Sequence, residues 1–440
     1  MGISKYIVIF FLFSSCLISQ NENVSKDNNE STFYNKLDSL SFSSFFNFSK
    51  KKYNDYNIAL LLPFCVNNNS FLSMSIDSLI EDEDFLHDYS FYKKSSISID
   101  FYLGFLLALD HFPDSNIKVS VFDILEGDQS RQIIREMLDD KILDNMDMII
   151  GPLFTDNFIF FAENFDHDVP IIAPFSKNKH LTDFNKNIFQ VQPNIEYHLF
   201  SLSSFIFEHH YNDNILFVSR DTMFESRSVL NQEDEEDQNT FDTIIPIDIQ
   251  YAEGLLHNID TTGISVRHIK VKSNIIDSIH HELDTLGMKN IVVIPSEDNV
   301  FVNDLLSKLH ACRDTGLVVY GLPSLYNLNH ISISDLMDMK LTFPYHQVDN
   351  NAILEDFILN FYNQYEYLPN INYASIGYEI GVFFLETLVQ KKSIIPHVIE
   401  QDNKIVLQRI YDFEQYNKKG YKNDGVVILQ YHDFGYRRLD

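Results

Sequence analysis

Ile58-Ala59-Leu60-Leu61-Leu62-Pro63 is a short unbroken apolar run, the composition a β-strand needs when both of its faces are covered. The segments C-terminal to it decide which kind of sheet the strand belongs to. Asp100 precedes Phe101, Phe105, Ala108, Leu109 and Phe112, an apolar stripe at helical steps of four, three, one and three. The pattern then predicts a strand over Ile117 to Ile124, a helix over Gln129 to Leu143, a strand over Met146 to Leu153, a helix over Asp156 to Asn164 and a strand over Pro170 to Phe175. Strict alternation of this kind implies right-handed βαβ crossovers and a doubly wound parallel sheet. A second series starts after Phe189-Gln190-Val191-Gln192-Pro193. Helix Glu196 to His209 leads into strand Asn214 to Ser219, followed by helix Ile275 to Leu286, strand Asn290 to Pro295, helix Val300 to Ala311 and strand Gly316 to Gly321. The fold class read from this order is α/β, two lobes, each a doubly wound parallel sheet flanked by helices.

The bulk numbers fit that reading. A chain of 440 residues suggests two or three packed units, and 45% hydrophobic with 22% charged residues supplies a large core. Lys plus Arg number 33 against 63 Asp plus Glu, a formal charge of −30 that repels phosphate backbones and speaks against a nucleic-acid partner. Lys5 is the one charge before Gln20, and the apolar run Tyr6 to Ile18 is too short to span ~30 Å of hydrocarbon. Residues 1–19 therefore read as a bacterial secretory signal, cut before Gln20, or processed at the lipobox-like Phe13-Ser14-Ser15-Cys16 with lipid on Cys16. The expectation is an exported protein of the periplasm or cell envelope that meets a membrane only through that possible anchor. Residues 20–56, rich in Asn, Ser and Lys, read as a flexible tether.

Nothing in the sequence carries a metal or cofactor signature. CxxC and HExxH are missing, and the adjacent pairs His209-His210 and His280-His281 point their rings in different directions on any regular element. Cys65 and Cys312 read as small buried hydrophobes, although one bridge between them is open. The acidic runs Glu81 to Asp84 and Glu233 to Asp237 read as solvated loops, lacking the spaced oxygens and turn Gly of an EF-hand.

The order of segments resembles the type I periplasmic binding protein fold of the branched-chain amino-acid receptor superfamily. The resemblance rests on Ile58 to Phe64, Asp100-Phe101-Tyr102-Leu103-Gly104-Phe105 opening the first helix, Val121-Phe122-Asp123, Ile149-Ile150-Gly151-Pro152-Leu153-Phe154, Val169-Pro170-Ile171-Ile172-Ala173-Pro174 and Tyr373-Ala374-Ser375-Ile376-Gly377-Tyr378. The Gly-Pro-Leu and Ala-Pro-Phe-Ser segments resemble the envelope-lipoprotein branch that includes activators of penicillin-binding proteins. It implies a first lobe of 57–193 plus 344–401 and a second of 194–343 plus 402–440, closing by a hinge at crossovers near Pro193, Phe343 and Asp402.

In doubly wound sheets ligands settle outside the carboxyl ends of the strands, where helix N-termini present unpaired N–H groups. Those ends give the candidate ligand-binding residues: Phe64, Phe154, Thr155, Asp156, Ser176 and Lys177 from the first lobe, Arg220 and Ser324 from the second. Thr155, Asp156 and Asp123 could equally be structural caps, and Lys177 a solvated surface charge. The chain departs from amino-acid receptors at Phe154-Thr155-Asp156, where they place small hydroxyl residues for the ligand carboxylate. It departs again at Leu322-Pro323-Ser324, where they hold the ligand ammonium with an acidic residue. These features suggest a non-catalytic solute-binding protein closing two lobes on a small ligand and feeding a transporter. The alternative is an envelope protein-interaction module regulating cell-wall synthesis with a degenerate cleft. No G-x-S-x-G or comparable nucleophile setting argues for an enzyme.

Overall fold

The computed structural model describes residues 55–69, 91–220, 247–260, 264–271, 279–284, 286–312, 316–326, 328, 330–415 and 417–440. The signal, Cys16, the tether and both acidic runs lie outside them.

The opening apolar run forms β1 (Asp55–Leu62), and all of Ile58 to Leu62 are fully buried, as a central parallel strand demands. Next come α1 (Lys93–Leu109), β2 (Asn116–Asp123), α2 (Gly127–Asp139), β3 (Met148–Ile150), α3 (Thr155–Asn164), β4 (Ile171–Ala173) and β5 (Ile188–Gln190). The second series is α4 (Ile195–His209), β6 (Asn214–Arg220), α5 (Ile247–Asp260), β7 (Val266–Val271), β8 (Asn290–Ile294), α6 (Asn299–His310), β9 (Leu317–Gly321), α7 (Ile333–Asp338) and β10 (Thr342–Tyr345). Helices α8 (Asn351–Tyr365) and α9 (Ile371–Lys391) precede the short strands β11 (Lys404–Val406), β12 (Arg409–Tyr411), β13 (Phe413–Gln415), β14 (Tyr421–Asn423), β15 (Val427–His432) and β16 (Gly435–Arg438).

Two seven-stranded sheets result, ordered β13-β14-β5-β4-β3-β1-β2 and β16-β15-β10-β9-β8-β6-β7. Each is parallel through its βα series. Antiparallel strands from the C-terminal segment, β13 against β14, and β15 against both β10 and β16, make both sheets mixed at one edge. In both, the first strand of the series is flanked by the second and third, which creates a topological switch point.

Several boundaries differ from the sequence reading. Helix α1 starts seven residues before Asp100, through Lys93-Lys94-Ser95-Ser96, because its polar inner face is satisfied: the Ser98 hydroxyl donates to Pro63 O at 2.9 Å and the Ser95 hydroxyl to Phe64 O. Asp100 is thus mid-helix and buried, accepting from the Tyr367 hydroxyl at 3.1 Å. Where a helix was expected over Ile275 to Leu286, the described part holds only a 3-10 turn, Ile279–His281. Cys65 and Cys312 are not bridged, and Cys312 is only partly buried.

The chain divides into two compact units, one from the described residues up to Pro174 together with Leu354–His397, the other Phe175–Ile353 with Val398–Asp440. The core of the first unit is the contact of α1 with α9. Gly104 and Ala374 meet backbone to backbone, as do Gly377 and Phe101, and Gly381 abuts Ala108, so a Cβ on any of these glycines would overlap the opposite helix. Gly151 is required for a different reason: at φ 90° a side chain is strained, and a Cβ there would meet Leu61 O. In the second unit Leu216, Val292, Phe301, Leu305 and Phe343 pack beneath one face of the sheet, and Leu202, Ile206 and Phe217 beneath the other.

Gly377→Ala should therefore cost at least ~1–3 kcal/mol, because both helices must separate to admit one methyl group. Gly254→Ala in α5 is the control, since the nearest atom to its new Cβ is the movable Leu199 Cδ1 at 3.2 Å. Urea denaturation of the two variants is expected to show a clear midpoint loss for the first and little change for the second.

Candidate functional site

In the first unit, the chain leaving β1 passes Phe64, buried edge-on against the Tyr102 ring with centroids 5.9 Å apart. Asp123, at the end of β2, accepts the backbone N–H groups of Cys65, Val66 and Leu125 at 3.1, 3.2 and 3.0 Å. It is a loop cap. After β3, Phe154 is the N-cap residue of α3 and lies half-buried, with Lys94 Nζ 5.1 Å from its ring centroid. Lys94 is itself paired with Glu126, which also accepts from the Tyr92 hydroxyl at 2.7 Å. Donation from Lys94 and Tyr92 holds the Glu126 carboxyl below the usual range. Thr155 and Asp156 form the first turn of α3, Asp156 exposed and well placed against the positive helix end.

At the switch point of the second sheet, Arg220 ends β6. Its Nε donates to Asp248 Oδ2 at 3.1 Å and its Nη1 to Asp298 Oδ2 at 3.1 Å, while the guanidinium lies over the Phe301 ring. Asp248 is 1% exposed and takes a further bond from the Ser296 hydroxyl at 2.8 Å; Asp298 also caps α6 by accepting from Phe301 N. The fork of Arg220 is thus divided between two carboxylates.

A second group gathers at the carboxyl ends of β5 and β10 and at the N-terminus of α4, all within the second unit. His198 Nδ1 donates to Asn194 O at 3.0 Å, which leaves Nε2 as a lone pair, enclosed and without a partner among the described residues. His346 follows β10, its ring perpendicular to that of His198 with centroids 5.8 Å apart, and its Nδ1 is equally enclosed and unpartnered among the described residues. Burial pushes the His198 imidazole down to about 4 and His346 well below its ordinary value, with the Lys177 ammonium acting on both rings and the Arg409 guanidinium on His346. Arg409 is 2% exposed and donates from Nη1 to Gln192 Oε1 at 3.1 Å. Ser176 is buried, its Oγ accepting from Asn178 N at 3.4 Å, whereas Lys177 is exposed and partly offsets the desolvation that raises the Glu297 carboxyl. Ser324 sits in the 3-10 turn Pro323–Leu325 with its Oγ enclosed and unpartnered among the described residues.

Sequence reading named Ser176, Lys177, Arg220 and Ser324 but not His198, His346 or Arg409. The two histidines stand singly on apolar elements, and only the approach of α4 to the chain after β10 makes them a pair. Elsewhere, His310 Nε2 at the end of α6 lies 3.6 Å from Asp335 and 3.5 Å from Asp338.

No protein-family model matches the chain, and no curated protein matches it in sequence. A crystal structure from Rhodospirillum rubrum, described as a branched-chain amino acid ABC transporter, is similar in structure at 12% identity, covering 88% of this chain and 100% of that one, with a TM-score of 0.57. The fold is that of the type I periplasmic binding proteins. A substrate-binding protein from Desulfitobacterium hafniense in complex with Leu (14% identity, 88% and 100% covered, TM-score 0.48) is too loosely similar to add to the argument. The same holds for a solute-binding protein from Rhodopseudomonas palustris BisB5 with 3,4-dihydroxybenzoic acid (11%, 88% and 97%, TM-score 0.46). Within the type I fold, both switch points of this chain carry charges already paired internally.

Two outcomes are expected. Arg220→Met leaves buried Asp248 without its cation and should cost ~3–5 kcal/mol, whereas Lys94→Met breaks a more exposed pair worth at most ~1 kcal/mol; urea midpoints compare them. The histidines give a pH effect. Because His198 and His346 titrate lower folded than unfolded, the unfolded chain takes up protons first, and stability is lost as pH falls from about 6.5 toward 4, by up to ~1.4 kcal/mol per pH unit for each ring. Asp424 works the other way, since burial raises its carboxyl to about 7. The contribution of the rings is therefore read as the difference between wild type and His198→Asn/His346→Asn: the variant should lose less melting temperature between pH 6.5 and 4.

Proposed function

We propose that the protein is a non-catalytic solute-binding protein of the cell envelope, exported by the signal in residues 1–19, held at the membrane if Cys16 is lipidated, and delivering a small ligand to a transporter. The observation that carries this reading is the fold itself, matched along the whole length of a protein described as an ABC transporter. The proposed ligand is a small carboxylate without an ammonium group. Lys177, Arg409 and two histidines able to become donors suit an anion, and Ser176 and Ser324 offer hydroxyls at strand ends. Taken by itself, the first unit carries Phe64, Phe154 and the first turn of α3 at Thr155 and Asp156 at its own strand ends, a set of apolar and N–H groups of the kind small ligands use. Leu322, fully buried, and Pro323 provide no counter-charge for an ammonium.

A second reading, an envelope interaction module with a degenerate cleft, is favoured by the internal pairing of Arg220 at the end of β6 and of Lys94 in the first turn of α1, cations that an open anion site would leave available.

Isothermal titration with benzoate, leucine and isoleucine separates these. Benzoate is expected to bind at least tenfold more tightly than either amino acid, because an unmatched ammonium costs a few kcal/mol to desolvate. Lys177→Ala should weaken benzoate. Micromolar binding of leucine or isoleucine would overturn the ligand class. No solute binding, no small molecule retained in native mass spectrometry, and capture of a cell-wall protein would favour the second reading.

A further inference from the structure

On the side of the first unit where α1 ends, helices α1, α8 and α9 enclose an open cavity of about 460 Å³, inside the range of ~300–1,000 Å³ that small-molecule pockets occupy. Leu107 and Phe357 are buried and give it an apolar floor. On the wall from α8 stand Asn360, Asn363 and Gln364, spaced so that all three share one helix face. All three side chains are exposed, and their amides make no hydrogen bond within the described residues. Each offers paired N–H donors next to a carbonyl acceptor.

The opposite wall is fixed. Tyr378 lies between Gly377 and Gly381, two of the α9 residues that pack directly on α1, so its Cα is held relative to that helix. Its hydroxyl is 2.6 Å from His111 Nε2, and its ring is 5.1 Å from that of Phe357 at 54°. One hydrogen bond within the Tyr378–His111 pair leaves the tyrosine oxygen further capacity toward the cavity. Asp110, the C-cap residue of α1, adds one exposed carboxylate.

We propose that this cavity binds a neutral saccharide. The ligand class is set by the lining. No Lys or Arg lines the cavity, so an anion has no counter-charge. Vicinal hydroxyls of a sugar ring need donors and acceptors side by side, as three carboxamides and one carboxylate supply, while the C–H face of the ring needs an apolar or aromatic surface, as Phe357 and Tyr378 supply. A long-chain lipid would require an apolar wall where the carboxamides stand. None of these residues is among those named for the proposed carboxylate ligand, so the proposal does not rest on that reading.

Saturation-transfer NMR on the full chain with glucose, maltose, N-acetylglucosamine and its β-1,4-linked dimer is the test. At least one sugar is expected to receive saturation. Asn360→Ala/Asn363→Ala, at exposed helix positions where Ala favours the helix, should weaken it at least tenfold with unchanged circular dichroism and unchanged melting temperature. Tyr378→Phe, which keeps the ring and removes the hydroxyl, should weaken it by a smaller factor. Benzoate titration run on the same variants should be unchanged. Absence of saturation on all four sugars overturns the proposal, as does binding that the double variant leaves intact.

Discussion

Helices α1 and α9 touch backbone to backbone. Gly104, Gly377 and Gly381 lack the one atom that would hold the two cylinders apart, and on that contact the first unit depends: α9 belongs to a segment that returns to the unit only at Leu354, long after α1 has ended at Leu109. So close an approach leaves no slack. Buried polar bonds tie the same place, with Tyr365 donating to Leu103 O and Tyr367 to Asp100 across the returning segment. The end of α1 and the face of α9 that frame the proposed saccharide cavity are therefore set before any ligand arrives, which lowers the ordering cost of binding.

Charge governs the second unit. The chain is strongly acidic as a whole, yet Arg220, Arg409, Lys177 and two histidines lie near the carboxyl ends of its strands. Arg220 is neutralised by Asp248 and Asp298 and serves to hold α5 and α6 against the sheet. The two imidazoles are buried with less compensation. Burying orphaned polar atoms destabilises a fold, and such groups are expected where a site is kept ready for a partner.

Much of the fold was legible because two periods in the sequence reflect burial directly. β1, β8 and β9 are runs of Ile, Val and Leu with both faces covered, and α3, α4 and α6 were read to within one residue at each end. The failures have local causes. Ser95 and Ser98 hid the first turns of α1 because their hydroxyls find carbonyl partners in the segment after β1, which no helical period records. Helix α5 and strand β7 went unread beyond the acidic run, and β11 to β14, three residues each, are too short to carry a period. The helix expected over Ile275 to Leu286 had the period without the surroundings.

By itself the sequence determined the alternating βα order, the two-sheet architecture, the acidic surface and the strand ends at which chemistry would be placed, because these arise from local hydrophobic spacing and from summed charge. Which of those side chains are available was decided by tertiary structure. Arg220 meets carboxylates 28 and 78 residues away, His198 meets His346, and Tyr378 meets His111 across 267 residues. Pairing energies depend on distances of a few ångströms and on the water excluded around them, and the folded packing of distant segments alone sets both.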